Sequence, residues 1–328
     1  MKRTGLFFVL LIFLAAGIFT ALLFGGARIP AGAVLHSVLN PSEVGSVNTI
    51  IWKVRIPRIL FGLLVGAGLA VSGCVFQGML RNPLADPYTL GVSGGAALGA
   101  SIGMMLGMGG LGIPLCAFTG ALVSISLVYF VASRRDFTAS TIILVGVIFS
   151  FLSSALVSLI LSLSLPQKFQ PTILWLMGDL SWAQPAMIIP LCVFIFAGTA
   201  VVIIFSREID IITLGEEKAG YLGVSAKNAN RILFVCCSLI TGACVSVSGI
   251  IGFVGLMVPH FLRRFTGPGH RILILASFLG GGIFLVLADT LARSVAAPVQ
   301  LPVGVVTAIL GGTFFLFFFL GSKRKEIF

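Results

Sequence analysis

The sequence predicts an all-α, polytopic membrane protein with about ten transmembrane helices. Apolar residues make up 58% of the chain and charged residues only 9%, which excludes an ordinary soluble domain. Apolar runs of about 20 residues, the length needed to cross the hydrocarbon layer of a bilayer, recur along the whole chain. The longest polar segment, residues 207–228, is too short to fold as a soluble domain. We therefore expect residues 1–328 to form a single transmembrane domain.

Proline, glycine and charged residues mark the ends of ten apolar spans. The eighth span is short, and its Pro259-His260 pair indicates that it does not cross the bilayer as one straight helix. A further short helix is expected at the outer surface around Thr172–Leu180. The ten spans are expected at residues 5–26, 56–79, 90–108, 113–132, 139–164, 183–206, 229–249, 251–264, 272–292 and 302–320.

The distribution of basic residues predicts that both termini are cytosolic. With the N-terminus inside, fifteen of the 21 Lys and Arg residues fall on cytosolic segments and six fall outside. Cytosolic loops of membrane proteins carry such an excess of basic residues. An even number of spans also keeps Lys323-Arg324-Lys325 inside. We interpret the net charge of +11 in this way, and not as a nucleic-acid surface.

Glycines recur at four-residue intervals in the third span. This spacing leaves one side of a helix bare, and small residues let neighbouring backbones approach closely in lipid, where no hydrophobic drive holds helices together. The pattern predicts a tight helix bundle and indicates no cargo. The strip consists of Gly91, Gly95, Gly99, Gly103 and Gly107, and the second span repeats it with Gly62, Gly66, Ala70 and Gly73.

Three arginines are expected on the outer side, against the general trend. Arg55 and Arg58 stand at the mouth of the second span, and Arg293 stands at the outer end of the ninth. One interpretation is anchoring at the membrane interface, with Asp289 pairing with Arg293 four residues later. The other is a positively charged rim that docks an acidic surface of an external protein.

The fifth span carries serines at every fourth position. Ser150, Ser154 and Ser158 share one side of the predicted helix. Such serines bond to their own backbone or to a neighbouring helix, or they form a mildly polar wall of a passage for a bulky polar solute. Gln77, near the inner end of the second span, has the same two interpretations.

The polar segment of residues 207–228, which we call the knuckle, carries signals for short helices. Thr213 and Glu216 match a capping box, Gly223 is a C-terminal stop, and a second helix begins at Ser225. A rigid knuckle would press its apolar side chains into a groove on a soluble partner. The alternative is a loop that only connects two spans. The residues assigned to partner contact are Leu214, Gly215, Glu216, Ala219, Leu222, Gly223 and Val224.

These motifs resemble a known family, the FecCD-type permease subunits of ATP-binding-cassette importers for iron chelates, haem and cobalamin. The resemblance covers essentially the whole chain in order. The matching pieces are Arg55-Ile56-Pro57-Arg58, residues 66–73, Gln77, residues 81–87, residues 90–96, the knuckle residues 214–224, residues 249–256, Pro259-His260, Arg263, Ala288-Asp289, Arg293 and residues 301–307.

The resemblance implies a homodimer in the cytoplasmic (inner) membrane with the passage at its centre. It implies two cytosolic ATP-binding subunits held by the knuckle, and an external or periplasmic binding protein whose acidic residues meet Arg55, Arg58 and Arg293. The fifth and tenth spans would flank the passage, which agrees with the serines of span five. An iron chelate is the family's commonest cargo, and haem and cobalamin are the alternatives.

The motor is expected in a partner chain. No G-x-x-x-x-G-K-[ST] loop occurs in the sequence, so ATP and Mg²⁺ would bind the partner, and no catalytic residue, metal or cofactor is assigned to this chain. An ion-coupled secondary transporter is the rival class, although Asp289 is the only deep carboxylate candidate and lies near an edge. An intramembrane hydrolase would need a partner for His260, and none stands at helical spacing.

Overall fold

The computed structural model describes residues 3–135 and 137–321, without the side chains of Arg3, Thr4, Glu216 and Phe319. The described residues form α-helices joined by turns and contain no strand, which confirms the predicted all-α class. The helices are α1 (Arg3–Leu23), α2 (Ala31–Leu39), α3 (Ser46–Thr49), α4 (Ile56–Met79), α5 (Val92–Met105), α6 (Gly112–Ser133), α7 (Ala139–Leu163), α8 (Pro166–Leu176), α9 (Ile188–Ile204), α10 (Ser206–Ile212), α11 (Glu216–Tyr221), α12 (Ala226–Ser248), α13 (Val254–Thr266), α14 (His270–Ser294) and α15 (Val303–Gly321).

Seven helical stretches in the described part of the chain are long and apolar enough to cross a membrane. They include α1, α6, α7, α12 and α14, together with longer stretches that end in α4 and α9. The three remaining predicted spans correspond to the shorter helices α5, α13 and α15. Every predicted span therefore has a helix, and each boundary agrees within five residues. The short outer helix is present as α8, earlier in the chain than expected.

Helix α4 is the centre of the bundle, with 20 of its 24 residues buried. Its glycines let other helices contact its backbone. A Cβ atom at Gly66 would lie 2.2 Å from the carbonyl oxygen of Gly281 in α14. A Cβ atom at Gly73 would lie 1.9 Å from the carbonyl oxygen of Gly255 in α13. Both distances are far inside van der Waals contact, so only glycine fits at these two positions of α4.

The glycine strip of the third span is confirmed in its middle and differs at its ends. Cβ atoms at Gly95 and Gly99 would lie 2.5 and 2.1 Å from carbonyl oxygens of α6. Gly91 and Gly107 stand just outside α5, with φ angles of +86° and +76°. Glycine is needed there because these left-handed conformations are unfavourable for other residues. The regular spacing therefore combines helix packing with turns at both helix ends.

The chain between α12 and α13 is unwound, which explains why the eighth predicted span is short. Helix α13 has 13 residues and spans about 20 Å, too little to cross alone. The hydroxyl of Tyr88 donates to the carbonyl of Ile251 at 2.8 Å and accepts from its amide at 3.2 Å. Such partners are required because an unwound backbone inside a membrane has no water to bond.

We expect Gly99→Leu to destabilise the protein by at least the roughly 1–3 kcal/mol that overpacked cores lose. The new side chain would meet the backbone of α6, which cannot yield as a flexible side chain does. Gly32→Leu in α2 is the control, because nothing lies within 4 Å of a Cβ atom at that position. The measurement is the melting temperature of each purified variant. An unchanged value for Gly99→Leu would contradict the observed packing of α5 on α6.

Candidate functional site

Arg58, near the start of α4, is the centre of a buried ion-pair cluster. Its Nε donates to both carboxylate oxygens of Asp289, at 3.0 and 3.1 Å. Its Nη2 donates to Oδ1 of Asp289 at 2.9 Å and to Oδ1 of Asp179 at 3.2 Å. Its Nη1 donates to Oε1 of Gln300 at 2.8 Å. One side chain thus ties α4 to α14, to the turn after α8 and to the segment before α15.

The other two outer arginines lie in the same region. Nε of Arg293 is 2.9 Å from Oδ2 of Asp289, which confirms the interpretation that pairs these two residues within one helix. The guanidinium group of Arg55 donates to the backbone carbonyl of Leu22 in the last turn of α1 and to that of Ala27 after the helix. All three arginines therefore have partners within their own chain.

The three arginines of the expected charged rim are buried in this structure. Arg55, Arg58 and Arg293 are 3%, 7% and 5% exposed. The reason is that Asp289 and backbone carbonyls contact their guanidinium groups inside the protein, although Nε of Arg293 makes no hydrogen bond to any described residue. The three arginines and the carboxylates of Asp289 and Asp179 still leave an excess of positive charge at this end. Docking of a binding protein by these arginines stays a prediction.

A cleft of about 480 Å³ opens between α7, α13 and the turn before α5. Two of the predicted passage serines, Ser150 and Ser154, line it, and Ser158 does not. Ser154 is exposed, and the hydroxyl of Ser150 is buried without a hydrogen-bond partner. Ser158 donates to the carbonyl of Ser154 at 2.9 Å, as serines in membrane helices commonly do. Ser158 thus bonds to its own helix, while Ser150 and Ser154 line a cleft; that this cleft belongs to a passage stays a prediction.

The opposite wall of the cleft comes from the turn between α4 and α5. Asp86 accepts a hydrogen bond from the backbone amide of Tyr88 at 2.9 Å. Burial raises the pKa of Asp86 to about 6, although this hydrogen bond acts in the opposite direction. Burial also raises the pKa of the Tyr88 hydroxyl, and the nearby Asp86 adds to that effect. Thr89, exposed beside them, completes this polar wall.

Gln77 does not line the cleft, and its place in a passage stays a prediction. It is 3% exposed and lies between α4 and α13. Its amide nitrogen donates to the carbonyls of Gly255 and Leu256, at 3.3 and 3.2 Å. It therefore follows the other interpretation, a polar contact between helices.

The surroundings of His260, and the arrangement of side chains that could bind a metal, bear on whether the chain could be an enzyme. The ring of His260 packs edge-on against Phe318, with centroids 4.8 Å apart, and against Phe315 at 5.7 Å. Among residues 3–135 and 137–321, no three His, Cys, Asp or Glu side chains come together as metal ligands do. The assignment of no catalytic residue and no metal to this chain stays a prediction.

The knuckle contains two short helices, α10 and α11, but its capping differs from the sequence prediction. Thr213 ends α10 and donates to the carbonyl of Asp210, while Gly215, with φ at +116°, precedes α11. The predicted capping box therefore does not start a helix at Thr213, and the side chain of Glu216 lies outside the description. Ser225 begins α12, the long span, and not a second short helix.

The C-terminal stop at Gly223 has the geometry of a Schellman motif. Gly223 has φ at +78°, its amide donates to the carbonyl of Gly220 at 3.0 Å, and the amide of Val224 donates to the carbonyl of Ala219 at 2.9 Å. Ala219 is buried, and Val224 packs against the cluster around it. Two backbone bonds and one apolar contact hold the end of α11, which makes the knuckle rigid.

Apolar side chains of the knuckle point away from this small core. Leu214, Tyr221 and Leu222 are 58%, 83% and 60% exposed. Exposed large apolar residues that cluster on a rigid projection indicate a binding surface for another protein. Two of the three, Leu214 and Leu222, were identified from the sequence.

The sequence analysis missed a pair of residues that joins the knuckle to the bundle. Asp210 in α10 accepts from the backbone amide of His270 at 2.8 Å and from its Nδ1 at 2.6 Å. The contact anchors α10 to the first residue of α14. A carboxylate near a helix N-terminus is favourable because the helix dipole is positive there. No sequence signal separated Asp210 from the three other acidic residues of the knuckle.

Comparisons with known proteins agree with one another. The family model of the FecCD transport family matches residues 10–321. The chain is 38% identical over 329 residues to the uncharacterized ABC transporter permease protein YvrB of Bacillus subtilis, covering 95% of this chain and 92% of that protein.

Two further relatives are named for their cargo. The hemin transport system permease protein HmuU of Yersinia pestis is 36% identical, covering 98% of this chain and 96% of that protein. The cobalamin import system permease protein BtuC of Halobacterium salinarum is 40% identical, covering 89% of this chain and 79% of that protein. A solved structure described as a metal-chelate type ABC transporter in an inward-facing conformation matches with a TM-score of 0.86, at 29% identity, over 98% of this chain and 100% of that one.

We expect Asp289→Ala to lower the free energy of unfolding by about 3–5 kcal/mol, because it leaves Arg58 and Arg293 buried without their shared carboxylate. Glu43→Ala is the control: its ion pair with His36 lies on side chains that are 56% and 63% exposed, and its loss should change little. The measurement is thermal unfolding of the purified variants. Equal stability of both variants would contradict the structural role of the cluster.

Proposed function

This chain belongs to the FecCD transport family of ABC-importer permeases, and we propose that it carries a bulky iron chelate inward by alternating access. Two copies would enclose the passage, and two separate cytosolic subunits would bind and hydrolyse ATP. An external or periplasmic binding protein would deliver the chelate. The chain would lie in the cytoplasmic (inner) membrane with both termini in the cytosol, as its basic residues indicate.

The observation that carries the proposal is the exposed apolar surface of the knuckle. Leu214, Tyr221 and Leu222 face outward from a helix that a Schellman motif and a small core hold in place. Water makes such exposure unfavourable, and a groove on an ATPase subunit would cover it, in the manner of a helix bound in a groove. ATP binding would then shift the conformational equilibrium through different contact energies at this surface in the two states.

Helix α14 offers a route from the knuckle to the outer side. Asp210 of the knuckle contacts His270 at one end of this helix. The ion-pair cluster of Asp289 and Arg293 lies at the other end. We propose that displacement of the knuckle moves α14 as a rigid unit, and that the outer cluster adjusts as the passage opens or closes.

The cleft beside Ser150 and Ser154 supports the placement of the passage. Its wall combines hydroxyl groups with Asp86 and with the aromatic rings of Phe151 and Phe253. A mixed wall of this kind suits a bulky cargo with both polar and apolar surface. A second copy facing α7 would close the cleft into a channel.

The excess positive charge of the outer cluster supports docking of an acidic surface. Arg55, Arg58 and Arg293 outnumber the carboxylates of Asp179 and Asp289 that face them. Acidic residues of a binding protein would be steered to this end and would compete with Asp289 for the arginines.

The identity of the cargo is the most specific part of the proposal. A metal-chelate type transporter is structurally similar along the whole chain, which supports an iron chelate. Relatives named for hemin and for cobalamin make haem and cobalamin the alternatives. Uptake assays with a ferric siderophore, haem and cobalamin, each with its binding protein, would distinguish the three.

We expect Leu222→Asp to abolish copurification of the ATPase subunits, or to uncouple their hydrolysis from transport. The substitution places a charge at the centre of the proposed contact, while Leu222 is 60% exposed and does not support the fold. The measurements are subunit stoichiometry after purification and the stimulation of hydrolysis by the binding protein.

Arg135→Glu is the matched control for Leu222→Asp, because it also adds negative charge at an exposed position, in the turn after α6. It should leave the complex and its activity intact. Normal assembly and normal stimulated hydrolysis in the Leu222→Asp variant would show that the knuckle does not bind the motor.

A second experiment separates this proposal from an ion-coupled secondary transporter. We expect vesicles that contain the permease alone to show no uptake under an imposed H⁺ or Na⁺ gradient. Vesicles that contain the permease with its ATPase should take up cargo when ATP is supplied on the ATPase side. Gradient-driven uptake by the permease alone would contradict the importer mechanism.

A further inference from the structure

An apolar groove of about 500 Å³ lies between α1, α13, α14 and α15, away from the cleft of the proposed passage. All the side chains that line it are apolar, among them Phe13 of α1, Phe261 and Phe265 of α13 and Leu287 of α14. None of the residues that line the groove belongs to the knuckle surface, the ion-pair cluster or the cleft. We therefore consider what could bind in the groove.

The groove is open to its surroundings and has a closed back wall. Phe13, Phe261 and Phe265 are 56%, 50% and 45% exposed. Behind them α13 and α14 are in tight contact, because a Cβ atom at Gly280 would lie 2.8 Å from the side chain of Leu262. The groove is therefore a furrow on the surface of the bundle, and what fills it comes from outside this chain.

One end of the groove carries a cation. Arg264 is exposed in the last turn of α13, between the two lining residues Phe261 and Phe265. Helix α1 begins at Arg3, one turn before the lining residue Leu6. Arg264 is at the same end of the bundle as the knuckle, because α13 ends at Thr266 and α14 begins at His270, which contacts Asp210 of the knuckle. In the proposed orientation the basic end lies at the cytosolic surface of the membrane.

We propose that this groove binds an acyl chain of an anionic phospholipid from the cytosolic leaflet, with Arg264 contacting the lipid phosphate. The apolar walls would accept hydrocarbon, and an arginine at the headgroup level would favour a negatively charged lipid over a zwitterionic one. Such a lipid would fill the furrow between α1 and the two helices behind it.

A second copy of the chain is the competing occupant. The proposed passage places the copies against the serine side of α7, and α7 packs on α5 and α6, whereas α1 packs on α13 and α14. The tenth span, α15, is also expected beside the passage. Its Phe315 packs near Phe253 of the cleft wall, with ring centroids 6.5 Å apart, whereas the neighbouring Phe314 lines the groove. The groove and the cleft therefore lie on different sides of α15, and the groove remains open to lipid in the proposed dimer. The exposed cation Arg264 at this end would add attraction for an anionic headgroup, which a purely apolar helix would not provide.

The test uses the complete transporter in nanodiscs and a tryptophan introduced into the groove wall by Phe13→Trp. Lipids with brominated acyl chains quench indole fluorescence on contact. Brominated phosphatidylglycerol and brominated phosphatidylcholine are added separately, at the same low mole fraction, to nanodiscs of phosphatidylcholine. Subtracting the signal of the transporter without the substitution removes the contribution of the other tryptophans.

We expect brominated phosphatidylglycerol to quench the introduced indole several-fold more than brominated phosphatidylcholine. Adding Arg264→Gln should abolish this preference. Arg271→Gln is the matched control, because Arg271 is exposed at the same end of the bundle but lies on the face of α14 opposite the residues of that helix that line the groove. It should leave the preference unchanged.

Three outcomes would overturn the proposal. Equal quenching by the two lipids would show ordinary surrounding lipid without a site. Absence of quenching by either lipid would show that protein covers the groove. A preference that survives Arg264→Gln would show that this arginine does not hold the headgroup. If Phe13→Trp fails to assemble, Phe261→Trp places the reporter on the opposite wall, and the same outcomes apply.

Discussion

Backbone packs directly on backbone where α4 meets α13 and α14. The carbonyl oxygens of Gly281 and Gly255 occupy the space that Cβ atoms at Gly66 and Gly73 would need, at 2.2 and 1.9 Å. In lipid this contact replaces the hydrophobic drive that holds helices together in water. The buried centre of the bundle depends on it, because any side chain at these positions would separate α4 from its two neighbours.

Helix α14 links the features that bear on function. It contacts α4 through Gly281. Its first residue, His270, contacts Asp210 of the knuckle, and its Asp289 belongs to the ion-pair cluster at the other end. A helix held by backbone contact in its middle and by polar contacts at its two ends is suited to move as one body. In the proposed function, such an element would connect the motor with the docking surface for a binding protein.

Local signals in the sequence were sufficient for much of the fold. The spans were predicted from apolar length, and α4 begins and ends where it was expected. The stop at Gly223 was predicted because its left-handed backbone depends on one residue type. The capping box at Thr213 failed, since the preceding helix α10 continues to Ile212 and uses Thr213 for its own end. That competition between neighbouring helices is not visible in a four-residue motif.

The sequence by itself determined the class of protein, the positions of the membrane helices and the family, because apolar length and ordered motifs are properties of contiguous residues. The tertiary structure alone decided which polar residues face one another. Arg58 and Asp289 are separated by 231 positions, and Asp210 and His270 by 60. The sequence left Gln77 between a passage and a helix contact, and the three arginines between anchoring and docking, because a residue's depth depends on which helices surround it. Helix packing determines that depth, and a local sequence pattern does not contain this information.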